Sequence, residues 1–213
     1  MNYDLVCVSH NAVEYLKNFV TSLDVISPTK TVIVDTASTD GTKDYLNNGN
    51  YSPKVTKSIL LNENVGYGKA LNIGAKECSS DIIGFLNGDV AFIEDITQML
   101  KFLVDNPKIG AIAPKQIDSR GLIRHAGIVF GPPQGMKTLV GSYHRGWAQK
   151  DNGQFNDIVD VHYLSGSAFF MSRKLYDEIG GFDERLPLYF EDNLMCLRLQ
   201  KRGYRTVYYG KTK

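Results

Sequence analysis

A chain of 213 residues is long enough to bury one sizeable core, and its length suits a single elaborated domain better than two. Hydrophobic residues make up 43% and charged residues 22%, a globular balance that excludes disorder as the main state. A formal net charge of +1 excludes a global field that would hold the chain on nucleic acid or on an anionic bilayer.

Met1-Asn2-Tyr3-Asp4 enters a short apolar run without the basic start and long hydrophobic stretch of a secretory signal. No apolar segment approaches the roughly 20 residues needed to span a bilayer. The expected location is cytoplasmic, compatible with peripheral association at the inner face of the membrane. Cys7, Cys78 and Cys196 stand far apart in apolar surroundings, which predicts reduced core residues instead of a disulfide frame or a metal cage. Asn50-Tyr51-Ser52 matches a glycosylation acceptor, a match without meaning in the absence of secretion.

Leu5 to Ser9 has the length and content of a buried strand. Tyr15, Leu16, Phe19, Val20 and Leu23 then recur at three- and four-residue steps, one face of a helix. Thr31 to Asp35 predicts a second strand, and Asp40 a cap for a helix through Tyr45 and Leu46. A third strand, around Val55 to Leu61, leads through Gly66-Tyr67-Gly68 into a helix with Leu71, Gly74, Ala75 and Cys78 on one face. Ile82 to Leu86 predicts a fourth strand; Ile96, Met99, Leu100 and Leu103 a helix; and Ile109 to Ala113 a strand stopped by Pro114. This alternation argues for βαβ units and a largely parallel, doubly wound sheet.

From about Arg120 to Val161 the pattern loosens around Pro132-Pro133, several glycines and aromatics, as in hairpins and a long loop over a site. Leu164 to Met171 is strand-like, Leu194, Met195, Leu197 and Leu199 mark a terminal helix, and Tyr204 to Tyr209 reads as a closing strand.

In an open α/β sheet, ligands bind beyond the carboxyl ends of the strands. Ser9-His10-Asn11 follows the first strand, Asp35 ends the second and Asp89 follows the fourth, so three strands deliver polar groups to one edge. A carboxylate at such a point suits Mg²⁺ or Mn²⁺, which take one or two carboxylates and fill their shells with substrate phosphate oxygens. Alone, Asp89 reads first as a cap for the segment near Glu94. The lesser alternative for Asp35 is a turn-stabilising aspartate before Ser38 and Asp40. Glu191-Asp192 at the start of the last helix gains from its positive dipole end whatever else it does. Trp147 either anchors packing or offers its face to a sugar, and His125, His144 and His162 lack metal-ligand spacing and read as structural or surface residues.

Five blocks in order resemble the family-2 glycosyltransferases: Val8-Ser9-His10-Asn11; Val34 to Thr42; Asn64-Val65-Gly66-Tyr67-Gly68 through Gly74; Leu86-Asn87-Gly88-Asp89; and Gly180-Gly181-Phe182-Asp183-Glu184 followed by Glu191-Asp192. They span residue 6 to about 203. The resemblance implies a GT-A-type, Rossmann-like α/β fold with a mostly parallel central sheet flanked by helices and a less regular second half. It implies one catalytic domain over 1–213, with 1–115 binding the nucleotide-sugar and 116–213 the acceptor. The implied activity is inverting transfer of a sugar from a UDP-, dTDP- or GDP-linked donor to a hydroxyl of a glycan or lipid-linked acceptor, in polysaccharide or cell-surface glycan synthesis.

The same resemblance assigns Ser9, Asn11, Asp35, Asn64, Gly66 and Asn87 to the donor, Asp89 to a divalent cation (Mn²⁺ or Mg²⁺), Asp192 to the general base and Glu191 to orienting the acceptor or a loop. Here the first position of the metal motif is Asn87 instead of Asp, and His10 stands where an aromatic often stacks on the base. Relatives usually continue past Lys213 to a histidine that assists metal and phosphate, so either this chain is part of a longer one or its metal depends on Asp89. A sugar nucleotidyltransferase shares the architecture, but its basic, glycine-rich loop after the first strand is missing from Ser9-His10-Asn11-Ala12. A non-catalytic domain of the same fold would have no need of both Asp89 and Asp192.

Overall fold

The computed structural model describes residues 1–49, 52–131 and 141–213. Asn50 and Tyr51 of the glycosylation match, and Pro132-Pro133, lie outside the described residues.

The first half alternates β1 (Tyr3–Ser9), α1 (Val13–Ser22), β2 (Lys30–Thr36), α2 (Thr42–Asn47), β3 (Lys57–Leu61), α3 (Tyr67–Ala75), β4 (Ile82–Asn87), α4 (Thr97–Asp105) and β5 (Ile109–Pro114). The second half carries short strands β6 (Gln116–Ile117), β7 (Ile123–His125), β8 (Ile128–Gly131), β9 (Gly141–His144) and β10 (Ile158–Asp160). It closes with β11 (Ala168–Ser172), α5 (Arg173–Ile179), α6 (Glu191–Lys201) and β12 (Arg205–Tyr209).

Eight strands form the main sheet in the order β10-β12-β5-β11-β4-β1-β2-β3. β4, β1, β2 and β3 run parallel, β12 is parallel to β5, and β11 runs antiparallel between β4 and β5. Two cores lie on its two faces, because alternate residues of a strand point opposite ways. Val6, Val8, Val32 and Val34 pack with α3, α5 and α6, while Leu5, Cys7 and Ile33 pack with α1, α2 and α4. Gly74 lets α3 lie directly on the sheet, since a Cβ there would collide with the Val6 side chain. All three cysteines are buried and free.

Several local expectations shift. β3 starts at Lys57, with Val55 tucked into the core beside it. β11 starts at Ala168, because residues 165–167 leave the sheet to make a turn. Tyr15 and Leu197 share their helices' apolar period yet are exposed. Asp40 serves two helix starts at once: Oδ1 accepts from the Thr42 N–H at 3.2 Å and Oδ2 from the Val13 N–H at 3.0 Å. The unanticipated α5 is a seven-residue helix, too short for a periodic signal; its Ser172 cap accepts from the Leu175 N–H.

Candidate active site

Strand order reverses between β1 and β4, and the crevice at their carboxyl ends is the point where such sheets accept ligands. A cavity of about 380 Å³ opens there. Six of the residues singled out in the sequence line it: Ser9, Asn11, Asn64, Gly66, Asn87 and Asp89.

Each is placed by a local device. Asn11 has a left-handed φ of 48°, and its Oδ1 accepts from the Thr39 N–H at 2.7 Å, tying the end of β1 to the loop after β2. Asn64 Oδ1 accepts from the Gly66 N–H at 3.0 Å, closing a turn before α3. Gly66, at φ 85° and ψ 161°, occupies backbone space essentially reserved for glycine. A Cβ on it would strike the Pro187 carbonyl, so this glycine also lets the 187–188 segment form the opposite wall.

The Asn87-Gly88-Asp89 turn is pinned from two sides. The Gly88 N–H donates to the Val8 carbonyl at 2.8 Å and the Asn87 N–H to the Ser167 carbonyl at 2.9 Å.

Polar groups without a partner among the described residues face this cavity, Ser9 and Asp89 among them. The Ser9 hydroxyl is buried without a hydrogen bond. Asp89 is exposed at the cavity wall, and no described residue hydrogen-bonds or ion-pairs with its carboxylate. A buried hydroxyl left unsatisfied is costly unless a ligand completes it. Among the described residues no cluster of three or more His, Cys, Asp or Glu could hold a metal. One carboxylate backed by substrate oxygens is nonetheless a normal donor set for Mg²⁺ or Mn²⁺, and Asp89 with the neutral Asn87 fits it.

Asp35 sits elsewhere. It is fully buried, Oδ2 accepts from the Ser38 N–H at 3.0 Å, and Oδ1 accepts from the Ser38 hydroxyl. That hydroxyl in turn accepts from the Asn11 N–H at 2.8 Å. Asp35 therefore organises the turn that holds Asn11, the alternative its sequence context offered, and Thr36 lines the cavity in its place.

Glu191 and Asp192 begin α6 and are not among the residues lining the cavity; Asp192 is tied to its wall through Gly166, which Tyr67 also hydrogen-bonds. Asp192 Oδ2 accepts from the Gly166 N–H and Oδ1 from the Asn193 N–H, both at 2.7 Å. Burial raises the Asp192 carboxyl above its ordinary range, opposed by these N–H groups and by His144. Glu191 is raised by burial and then by the charge of Asp192, and its Oε2 is buried without a partner.

Sequence reasoning passed over Tyr67, Gly166 and Ser167. Tyr67 lines the cavity and donates its hydroxyl to the Gly166 carbonyl at 2.6 Å. Its phenol is held far above its usual pKa, first by burial and then by the charges of Cys7, Asp192, Glu191 and Asp89. Tyr67 thus shares the cavity with Asp89 and hydrogen-bonds the residue whose N–H holds Asp192. The signal for Tyr67 was its place inside the third block; Gly166 and Ser167 gave none, because β11 brings them in from far along the chain.

A mostly parallel sheet with its cavity at the topological switch point defines an open α/β class that takes its ligand at the carboxyl ends of the strands. Residues 4–180 match the family model "Glycosyl transferase family 2", and the chain belongs to that family. It is 26% identical over 149 residues to the O-antigen biosynthesis protein RfbC of Myxococcus xanthus, covering 67% of this chain and 11% of that one. It is 26% identical over 232 aligned positions to the N-acetylglucosaminyl-diphospho-decaprenol L-rhamnosyltransferase of Mycobacterium tuberculosis, covering 96% of this chain and 72% of that one. Its fold is similar to that of GalNAc-T7 solved with UDP, GalNAc and Mn²⁺, at a TM-score of 0.71 and 15% identity, covering 98% of this chain and 42% of that one. The chain thus spans less than half the length of two of these three proteins. No helix among the described residues is long and apolar enough to cross a membrane.

Proposed function

We propose that this chain transfers a sugar, with inversion, from a nucleoside-diphosphate donor to a hydroxyl of a glycan or lipid-linked acceptor in cell-surface glycan synthesis. The observation that carries the reading is the cavity at the ends of β1 and β4, where an orphaned Ser9 hydroxyl and an unpaired Asp89 carboxylate face a space backed, through Gly166 and Ser167, by Asp192.

Ser9, Asn11, Asn64 and Gly66 would receive the nucleotide, with Ser9 Oγ gaining the hydrogen bond it lacks. Asp89 would hold a divalent cation, assisted by Asn87. That cation, when bound, neutralises the charge growing on the departing diphosphate. Asp192 would take the proton from the acceptor hydroxyl as its oxygen attacks the anomeric carbon from the face opposite the leaving group. The carbon–oxygen bond to the diphosphate breaks in the same step, and no covalent enzyme intermediate forms. A positioned base of this kind contributes typically about 10²–10⁴-fold. Each Asp192 oxygen accepts one N–H bond, which leaves lone pairs for the hydroxyl, and its raised pKa makes it a stronger base than a free aspartate.

Support for the acceptor class comes from the relative named for a diphospho-decaprenol acceptor, and for the cation from the similar fold solved with Mn²⁺. The test is incubation with a panel of UDP-, dTDP- and GDP-sugars and Mn²⁺, followed by detection of released nucleoside diphosphate. Release from at least one donor is expected. Binding with no release in the presence of saccharide acceptors would instead mark a non-catalytic domain of the same fold.

A further inference from the structure

Asp89 lines two cavities. The second, about 820 Å³, shares Asp89 and Tyr15 with the first and has Gln116, Asp118, Arg124, Trp147 and Ser167 among its walls. Trp147 is the sole tryptophan of the chain and is 52% exposed, so it does not serve the core.

Its ring is nevertheless fixed. The residues on either side, Gly146 at φ 65° and Ala148 at φ 60°, are both left-handed, which turns the segment sharply around the indole. The Ala148 N–H donates to the Ile123 carbonyl and the Ile123 N–H to the Gln149 carbonyl, both at 2.9 Å, clamping the segment on β7. The Arg124 guanidinium stands 5.1 Å from the ring centroid, and the His144 ring meets it in a T-shaped contact at 5.0 Å. An exposed aromatic held this firmly loses little freedom when a ligand covers it.

The polar walls suit the same guest. The Ser167 hydroxyl donates to Gln116 Oε1 at 2.6 Å and pairs with the Ser165 hydroxyl at 2.7 Å, so the cavity that Trp147 lines also presents an amide and a hydroxyl. A pyranose ring has a C–H face that packs on indole and an edge of hydroxyls that hydrogen-bonds to such groups.

We propose that Trp147 is the stacking platform of a pyranose subsite in this second cavity. The inference rests on the nucleotide-sugar reading above. With the nucleotide in the first cavity and the diphosphate at Asp89, the second cavity adjoins the point where the sugar is attached. Either the donor's sugar or the acceptor's terminal sugar supplies that ring.

The single tryptophan reports directly. The full chain with Mn²⁺ is titrated with UDP, dTDP and GDP, with the corresponding nucleotide-sugars, and with methyl pyranosides of rhamnose, glucose, galactose and N-acetylglucosamine, recording emission and calorimetric heat together. The expected result is a saturable emission change for nucleotide-sugars or methyl pyranosides and none for nucleotides alone. A response to nucleotide-sugars alone assigns the platform to the donor ring, and a response to methyl pyranosides assigns it to the acceptor. Trp147→Ala should raise the KM of that sugar substrate about tenfold, and Trp147→Phe, which keeps an aromatic face, only about twofold. Emission that ignores every sugar whose binding calorimetry detects, or a KM within twofold for Trp147→Ala with both substrates, overturns the platform. Absence of any heat with the nucleotide-sugars overturns the transferase reading instead, while the pyranoside emission still decides the platform.

Discussion

Gly166 donates its N–H to Asp192 Oδ2 at 2.7 Å, and the next residue, Ser167, accepts the Asn87 N–H at 2.9 Å. Two consecutive residues therefore set the position of the carboxylate on α6 and of the turn that presents Asp89. The turn before β11 is the rigid link between the two acidic groups of the proposed reaction.

Replacing Asp192 by Asn removes the proposed base but keeps an acceptor oxygen for Gly166. kcat should fall by about 10²–10⁴-fold. In the wild type, Asp192 must be ionised to act, so kcat should decline as pH falls through its raised pKa, at a higher pH than an ordinary aspartate would give. Measuring kcat against pH for the wild type and for Asp192→Asn checks both; an acid limb that persists unaltered in the residual activity of the variant would contradict the role.

Glu191 is 6% exposed, with one carboxylate oxygen unpartnered, and its pKa is raised by burial and by Asp192. A carboxyl that holds its proton more tightly when folded costs stability as pH rises from its unfolded value through the raised folded one. Glu191→Gln should therefore raise Tm above pH 7 and have little effect near pH 4. Each kcal/mol recovered appears as about 2–4 °C. Equal Tm shifts at both pH values would show that the buried charge is not the cause.

His125 is fully buried on β7 with both ring nitrogens unpartnered, and burial pushes its pKa down to about 3. Folded, it stays neutral where the unfolded chain would protonate it. Its contribution is thus lost as pH falls below the unfolded value of about 6.5, with a slope of up to about 1.4 kcal/mol per pH unit until about pH 3. Urea unfolding between pH 7 and pH 4 should show a shallower loss of stability in His125→Leu than in the wild type; parallel curves would contradict the assignment.

Gly66→Ala places a Cβ against the Pro187 carbonyl at a backbone conformation alanine avoids. The loss should be about 1–3 kcal/mol or more, read as a lower urea midpoint. An unchanged midpoint would mean that the 187–188 wall can move away freely.

The sheet was legible because β1, β2 and β4 are buried on both faces and so read as unbroken apolar runs, with helical periods between them. The cavity was legible for the same reason: strand ends were known, and Ser9, Asn11, Asn87 and Asp89 follow them directly. Asp35 follows the same rule, yet its carboxylate turns inward because Ser38, three residues on, captures it locally. Tyr15 and Leu197 kept helical period but not burial, since periodicity gives a face and not the width of the neighbour covering it. Gly166, Ser167 and Trp147 come from the irregular second half. Their positions depend on β11 inserting antiparallel between β4 and β5 and on the clamp at β7, pairings between distant residues that no local pattern encodes.

The most direct test of the whole account is calorimetry of nucleotide-sugar binding with and without Mn²⁺ for the wild type, Asp89→Ala and Asp192→Ala. The account predicts Mn²⁺-dependent binding that Asp89→Ala weakens at least about tenfold, while Asp192→Ala binds the donor nearly as the wild type does and transfers nothing. Equal loss of donor binding in the two variants would contradict it.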